Sequence, residues 1–278
     1  MKSSSLAVGL FLIAIFGSVF AEDIGPDTCG QDRKVLSSWF ISHGSPRLLL
    51  APLPPLFMNV TEDPYEDPNK PPLSPEDIPG FCAMQWSNET DPESGNRLYT
   101  LQNFDTVVEA QSAGFIITHE GQCAACSSLQ DLGVYMSRNL TTPTRWCGVL
   151  GLFSPELEIQ CMKDLGFSEE CASIWHWNVK NTRSKCLEVC IKSFIEDEPF
   201  NKPDGSLNDC LQCDEDLSGP NFKYYSGRTR RNSGIPSAIQ RPESQIYDME
   251  HCYWYGTLDF PSDNSTESIW SEALEFLG

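Results

Sequence analysis

The sequence contains few basic residues and, beyond its N-terminus, no long apolar stretch. Nineteen lysines and arginines stand against 39 aspartates and glutamates, which gives a formal net charge of −20. A field of that sign repels nucleic acid and anionic membranes, and it favours cations or basic partners. Beyond residue 21, no segment approaches the roughly 18–20 apolar residues of a membrane span. We therefore expect neither a nucleic-acid partner nor a transmembrane helix. No period repeats along the chain, which excludes solenoid folds.

Residues 1–21 have the features of a secretory signal peptide. Lys2 supplies the positive charge, residues 6–16 form a short apolar run, and the segment ends on Ala21 with Val19 two residues earlier. This order of charge, apolar run and small residue is typical of a cleaved leader. We predict a secreted, extracellular protein.

Cysteine is abundant, and all twelve cysteines follow the predicted leader. An even number of cysteines in an oxidising compartment predicts a disulfide framework of up to six bridges, although the spacing does not give the pairing. Cys186 and Cys190 lie one helical turn apart on the same face, so each should bond to another element. The candidates are Cys29, Cys82, Cys123, Cys126, Cys147, Cys161, Cys171, Cys186, Cys190, Cys210, Cys213 and Cys252.

Four Asn-x-Ser/Thr sequences predict N-glycosylation. In a secreted protein such acceptors lie on the surface, so each predicts an exposed position. The acceptors are Asn59, Asn88, Asn139 and Asn264.

Proline density divides the chain. Residues 46–92 hold eleven of the twenty prolines, and each proline fixes φ and removes a backbone donor, which disfavours helices and central strands. We predict a signal peptide at 1–21, a proline-rich extended arm at 22–97, a cysteine-rich core at 98–256 and an acidic tail at 257–278.

Within the core, capping patterns predict helices. An Asn or Asp cap precedes a short helix that ends at Gly114, Ser154 caps a helix that ends at Gly166, and Ser168 opens a long helix with a break near Asn181. Another short helix is expected near residues 207–216, and strands near 115–119 and 247–256. The fold class is thus mainly α with a few short strands, a disulfide-crosslinked globular domain with the arm at its N-terminus.

The stretch THEGQCAACSSLQDLGVYM, residues 118–136, is the strongest candidate for chemistry. Cys123 and Cys126 form a Cys-x-x-Cys pair between a strand and a helix, a position where a helix dipole favours a thiolate. Three interpretations stay open. The pair is a thiol–disulfide oxidoreductase site, or Cys123 is the nucleophile of a hydrolase or lyase with His119 as base, or both cysteines are halves of structural disulfides. The third is the commonest in secreted proteins.

Metal sites and proteolytic processing give weaker signals. His119, Cys123, Cys126, Cys210 and Cys213 have zinc-ligating side chains, but the secretory route oxidises such pairs, so we predict no zinc site and no cofactor. Asp204, Ser206, Asn208 and Glu215 match positions of a calcium loop whose required glycine is replaced by Asp209. Calcium binding is therefore expected only through the acidic surface. Arg228 to Arg231 fit a convertase consensus with cleavage after Arg231, or else these arginines pair with carboxylates.

Residues 118–136, 166–190 and 207–235 together resemble a group of secreted, cysteine-rich proteins without an assigned activity. In composition the chain is similar to acidic glycoproteins of extracellular or mineralised matrices. The resemblance implies a structural or binding role in such a matrix, with matrix components or cations as partners and a part in biomineralisation. The alternative is an extracellular cysteine-dependent enzyme that uses Cys123.

Overall fold

The computed structural model describes residues 60, 62–66, 80–90, 97–137, 140–249 and 251. These residues form three strands, seven α-helices and two short 3-10 turns. The strands are β1 (Phe81–Thr90), β2 (Arg97–Phe104) and β3 (Ile116–Glu120). The helices are α1 (Val107–Ser112), α2 (Leu129–Ser137), α3 (Thr141–Leu150), α4 (Pro155–Asp164), α5 (Glu169–Ile195), α6 (Asp209–Leu217) and α7 (Gly219–Ser226). The 3-10 turns are Arg231–Ser233 and Glu243–Gln245. The predicted fold class, a mainly α disulfide-crosslinked domain with a few strands, is confirmed.

The sheet is antiparallel, with β1 between β2 and β3. Cys82 of β1 pairs with Asn103 on one side and His119 on the other. The predicted proline-rich arm at 22–97 was therefore wrong for residues 81–90, because these residues form β1, the central strand of the sheet. The reason is local, because residues 81–90 contain no proline and can pair on both edges.

Helix capping follows the predicted pattern at α4. The Ser154 hydroxyl accepts from the backbone N–H groups of Glu156 and Leu157, and Pro155 occupies the first turn. At α1 the predicted Asn or Asp cap is instead Thr106, whose hydroxyl accepts from the Glu109 N–H at 3.1 Å. The threonine hydroxyl accepts from the same otherwise unpaired backbone N–H of the first helical turn that an Asn or Asp side chain would accept from.

The long helix α5 starts after Ser168 as expected but does not break near Asn181. The Asn181 side chain turns outward and donates to Leu217 O at 3.0 Å and to Ser218 Oγ at 2.9 Å. An asparagine with partners on a neighbouring segment does not compete for the backbone of its own helix, so the helix continues. The strand expected near 247–256 does not form at 247–249, and most of that range lies outside the described residues.

Five disulfides crosslink the described residues. As predicted, Cys186 and Cys190 of α5 both reach α6, where they bond to Cys213 and Cys210. Each of the five bonds stabilises the fold by about 2–4 kcal/mol, largely by restricting the unfolded chain. The other three are Cys82–Cys123, Cys126–Cys171 and Cys147–Cys161. Cys29 and Cys252 lie outside the described residues.

A buried apolar cluster joins the sheet to the helices. It contains Met84 of β1, Leu132 of α2 and Ile174 of α5, all without solvent exposure, together with Phe167 in the turn before α5. Among the described helices, none combines the length and the apolar character required to cross a membrane. The core thus anchors one end of α5, and the disulfides to α6 anchor the other.

Candidate functional site

The Cys-x-x-Cys stretch is a crosslinked junction in the structure. Cys123 bonds to Cys82 of β1, and Cys126 bonds to Cys171 at the start of α5. Both cysteines are buried. While these bonds hold, neither sulfur is a thiolate, so the oxidoreductase, hydrolase and lyase interpretations have no nucleophile here, and the pair cannot ligate zinc.

His119 has the contacts of a structural histidine. Its Nε2 lies 2.8 Å from Ser127 Oγ and its Nδ1 lies 3.0 Å from the carbonyl oxygen of Glu120. Burial, and then the nearby Arg228, lower the pKa of His119 well below its usual value. A serine–histidine pair resembles half of a catalytic triad, but both residues are fully buried, so no substrate reaches them. The pair fixes the turn that carries the two cysteines.

Arg228 is the largest fully buried side chain among the described residues. Its guanidinium donates to the backbone carbonyls of Cys126, Thr118 and Ser127, at 3.1, 2.8 and 3.2 Å. The sequence offered Arg228 as part of a cleavage consensus. In the fold it instead ties the segment after α7 to β3 and to the cysteine turn.

Arg231 takes part in an ion-pair cluster. Its guanidinium binds Glu215 of α6, and Arg241 binds the same carboxylate at 2.8 Å. This is the pairing with carboxylates that the sequence offered as the alternative to cleavage. Because Arg231 lies in a 3-10 turn and is paired, a convertase would have to unfold this segment before it cut.

The residues of the calcium-like loop do not converge. Asp204 accepts from the N–H and hydroxyl of Ser206, Asn208 caps α6, and Glu215 binds arginines. Across the described ranges, no group of three or more His, Cys, Asp or Glu side chains is placed to hold a metal ion. Of the four glycosylation acceptors, Asn88 lies exposed on β1, and Asn59, Asn139 and Asn264 are outside the described residues.

A large cavity runs along α5, and none of the predictions from the sequence includes it. Its volume is about 600 Å³, within the roughly 300–1,000 Å³ of small-molecule sites. One wall is a face of α5 from Trp175 to Phe194, and α3 forms a second wall. The lining is completed by Tyr135 of α2, by α6 and α7, and by residues 229–246.

The cavity is elongated because it follows α5 for several turns. The α5 residues that line it recur every three to four positions, which puts them on one helix face. From Trp175 to Phe194 a helix rises about 28 Å. An elongated ligand therefore fits the cavity better than a compact one.

Apolar side chains on the two main walls remain partly exposed. Leu152 after α3 is 62% exposed, and Leu187, Ile191 and Phe194 of α5 are 47%, 49% and 56% exposed. All four line the cavity. Exposed apolar surface that is rimmed by polar residues is typical of binding surfaces. The run GVLGLF, residues 148–153, at the end of α3 and in the turn that follows it, is the sequence signal that could have indicated it.

The charged residues of the cavity have the opposite balance to the whole chain. Six basic residues and two acidic residues line it, whereas the chain as a whole is strongly acidic. Burial raises the pKa of Asp214, one of the two acids. The basic residues are Arg145, Arg183, Lys223, Arg230, Arg231 and Arg241.

Two buried polar groups at the cavity lack hydrogen bonds. Neither Tyr135 Oη nor Trp175 Nε1 has a partner among the described residues, and both residues line the cavity. Burial raises the pKa of Tyr135, so its hydroxyl stays protonated. An unpaired buried donor is unfavourable by about 1–3 kcal/mol, and a ligand oxygen would relieve it.

A buried ion network positions the α3 wall. Glu158 of α4 lies 2.7 Å from His176 Nδ1 and 3.3 Å from Arg183 Nη1. Arg183 also donates to the carbonyl of Gly148 on α3 at 2.9 Å. Gly151, the residue directly after α3, lies against this network, and an added Cβ there would collide with Glu158 Oε2. The network fixes α3 and α5 relative to each other along the cavity.

Comparison with known proteins gives one match. Residues 155–249 match the model of a family of unknown function, DUF8771. The matched part runs from the start of α4 past the second 3-10 turn and includes α5, α6 and α7. No curated protein and no solved structure matches the chain. The function is therefore inferred from the cavity and its surroundings.

Proposed function

We propose that the protein is a secreted, disulfide-crosslinked binding protein that holds a small apolar ligand in the cavity along α5. The single observation that carries this proposal is the cavity itself. Its volume is that of a ligand site, and aliphatic and aromatic side chains of α3 and α5 line it. Burial of an apolar ligand there would release about 25 cal/mol for each Å² of apolar surface removed from water.

Secretion is supported by the leader-like residues 1–21 and by the disulfides. Five bridges in the described residues suit an oxidising compartment and are rare in the cytosol. They also hold the walls, since Cys190 and Cys210 both line the cavity and are bonded to each other. A crosslinked wall keeps the cavity formed before a ligand arrives, which favours binding.

This proposal keeps the binding role that the sequence predicts and gives it a location. The narrower predictions rest on composition alone: a matrix setting, biomineralisation, Ca²⁺ at the acidic surface, and resemblance to secreted cysteine-rich proteins. They stay predictions.

The test uses full-length protein from a secreting host, titrated with the methyl ester of cis-parinaric acid, a neutral fluorescent chain. We expect saturable binding at one site, with fluorescence enhancement as the probe leaves water. Val149→Trp, which fills part of the cavity from α3, should weaken binding strongly. The matched control is Val108→Trp on α1, at a position that is 70% exposed and outside the lining.

Two results would overturn the proposal. Absence of saturable binding to the full-length protein would mean that its own chain fills the cavity or that the cavity does not form. Equal affinities for Val149→Trp, Val108→Trp and unmodified protein would place the probe elsewhere.

A further inference from the structure

Resting on that function, we infer that the ligand is a single-chain amphiphile with a carboxylate head and that Arg145 binds the head. The inference depends on the placement of Arg145, the shape of the cavity and the charge of its lining.

Arg145 is a partly buried cation that lines the cavity without an ion pair. Its guanidinium lies 4.9 Å from the centre of the Phe200 ring. Among the described residues it has no carboxylate within the 4.0 Å of a salt bridge, and no hydrogen-bond partner. Burial lowers the pKa of Arg145, and the more distant Asp197 opposes that shift. A partly desolvated, unpaired guanidinium is a strong site for an anion.

Most of the other cations in the lining already have partners. Arg231 and Arg241 bind Glu215, and Arg183 binds Glu158. Arg230 donates to the carbonyl oxygen of Pro236. Lys223 on α7 is the exception, because it too has no ion pair in the described part of the chain. Arg145 differs from Lys223 in its guanidinium, whose planar fork can donate two parallel hydrogen bonds to one carboxylate.

The apolar face of α5 accommodates the rest of the molecule. Trp146, the neighbour of Arg145 on α3, has its ring centre 6.1 Å from that of Phe194. A chain whose head lies at Arg145 would therefore start near Phe194 and follow the lining face of α5 toward Trp175. A single narrow tail matches this elongated cavity better than a ring system.

A single unpaired guanidinium favours a carboxylate over a phosphate monoester. The carboxylate is a monoanion that one guanidinium can bind with both oxygens. A phosphate monoester carries about 1.5–2 negative charges near neutral pH and three oxygens, so it would require a second cation such as Lys223 in addition to Arg145.

The experiment compares cis-parinaric acid with its methyl ester on the full-length protein. These ligands share the chain and differ in head charge. We expect the acid to bind more tightly than the ester. Arg145→Gln should weaken acid binding about 10-fold to 100-fold, the equivalent of one charge-assisted hydrogen bond, and should weaken ester binding much less. Lys223→Gln removes the same charge from the same lining and should affect acid binding much less.

The outcomes separate this inference from the proposed function. If the ester binds as tightly as the acid, or Lys223→Gln and Arg145→Gln weaken the acid equally, head recognition by Arg145 is wrong and the apolar site stands. If neither probe binds, both fail. If lysophosphatidate binds more tightly than the acid and depends more strongly on Arg145, the carboxylate assignment is wrong. Arg145→Lys should recover only part of the affinity, because it keeps the charge and loses the fork.

Discussion

Replacement of Arg228 by methionine is expected to destabilise the protein severely. The guanidinium is fully buried and donates to three backbone carbonyls, those of Thr118, Cys126 and Ser127. Methionine has a similar length but no donor, so it leaves three buried carbonyl oxygens without these hydrogen bonds. Each unpaired buried acceptor lowers the free energy of unfolding by about 1–3 kcal/mol. With partial relaxation we expect a loss of about 4 kcal/mol, against a total of about 5–15 kcal/mol for a typical domain.

The assay is guanidinium chloride unfolding of the disulfide-intact protein, followed by tryptophan fluorescence. Arg228→Lys keeps the charge but cannot reach all three carbonyls, so we expect a loss of about 2 kcal/mol. Lys185→Met is the control, since it removes one positive charge from an exposed position on α5. A loss below about 1 kcal/mol for Arg228→Met, within the spread of ordinary substitutions, would refute this account of Arg228.

Three further predictions concern other parts of the fold. Non-reducing peptide mapping with prior thiol trapping should return the five bridges described above, and a trapped thiol at Cys123 would instead revive the enzyme interpretation. Burial raises the pKa of Asp131 to about 6, so the folded state binds its proton more tightly than the unfolded state. Its contribution to stability is therefore present at low pH and lost as pH rises from about 4 to 6. The free energy of unfolding should therefore fall by about 3 kcal/mol across that pH range in the unmodified protein, and this fall should be absent in Asp131→Asn. Identical pH profiles of denaturant unfolding for the two proteins would contradict this. Gly151→Ala should lower the free energy of unfolding by about 1–3 kcal/mol in the same assay, because the new methyl group collides with Glu158. The control is Gly219→Ala, which should not destabilise the protein because a Cβ there meets nothing within 3.4 Å. Equal effects of the two substitutions would contradict the prediction, since they would show that the collision is relieved.

The sequence predicted features that depend on neighbouring residues. The cap at Ser154 and the start of α5 after Ser168 follow from side chains that bind backbone groups two or three positions away. The direction of the Cys186 and Cys190 bonds followed from helix periodicity alone. These patterns need no knowledge of the rest of the fold.

Features that join distant segments were not predictable. β1 becomes a central strand only because β2 and β3 pair with it, and its proximity to prolines concealed it. Arg228 reaches carbonyls more than 100 residues away, so its burial left no local pattern. The cavity has the same cause, since its walls come from separate helices and from residues 229–246. Helix α3 also carries threonine, proline and glycine, which obscured its helical pattern.

The most direct test of the binding account is native mass spectrometry of the full-length protein, secreted, deglycosylated and purified without detergent. We predict one adduct with the mass of a long-chain fatty acid, which organic extraction removes and added oleate restores. A single ligand-free mass that added oleate leaves unchanged would contradict the account.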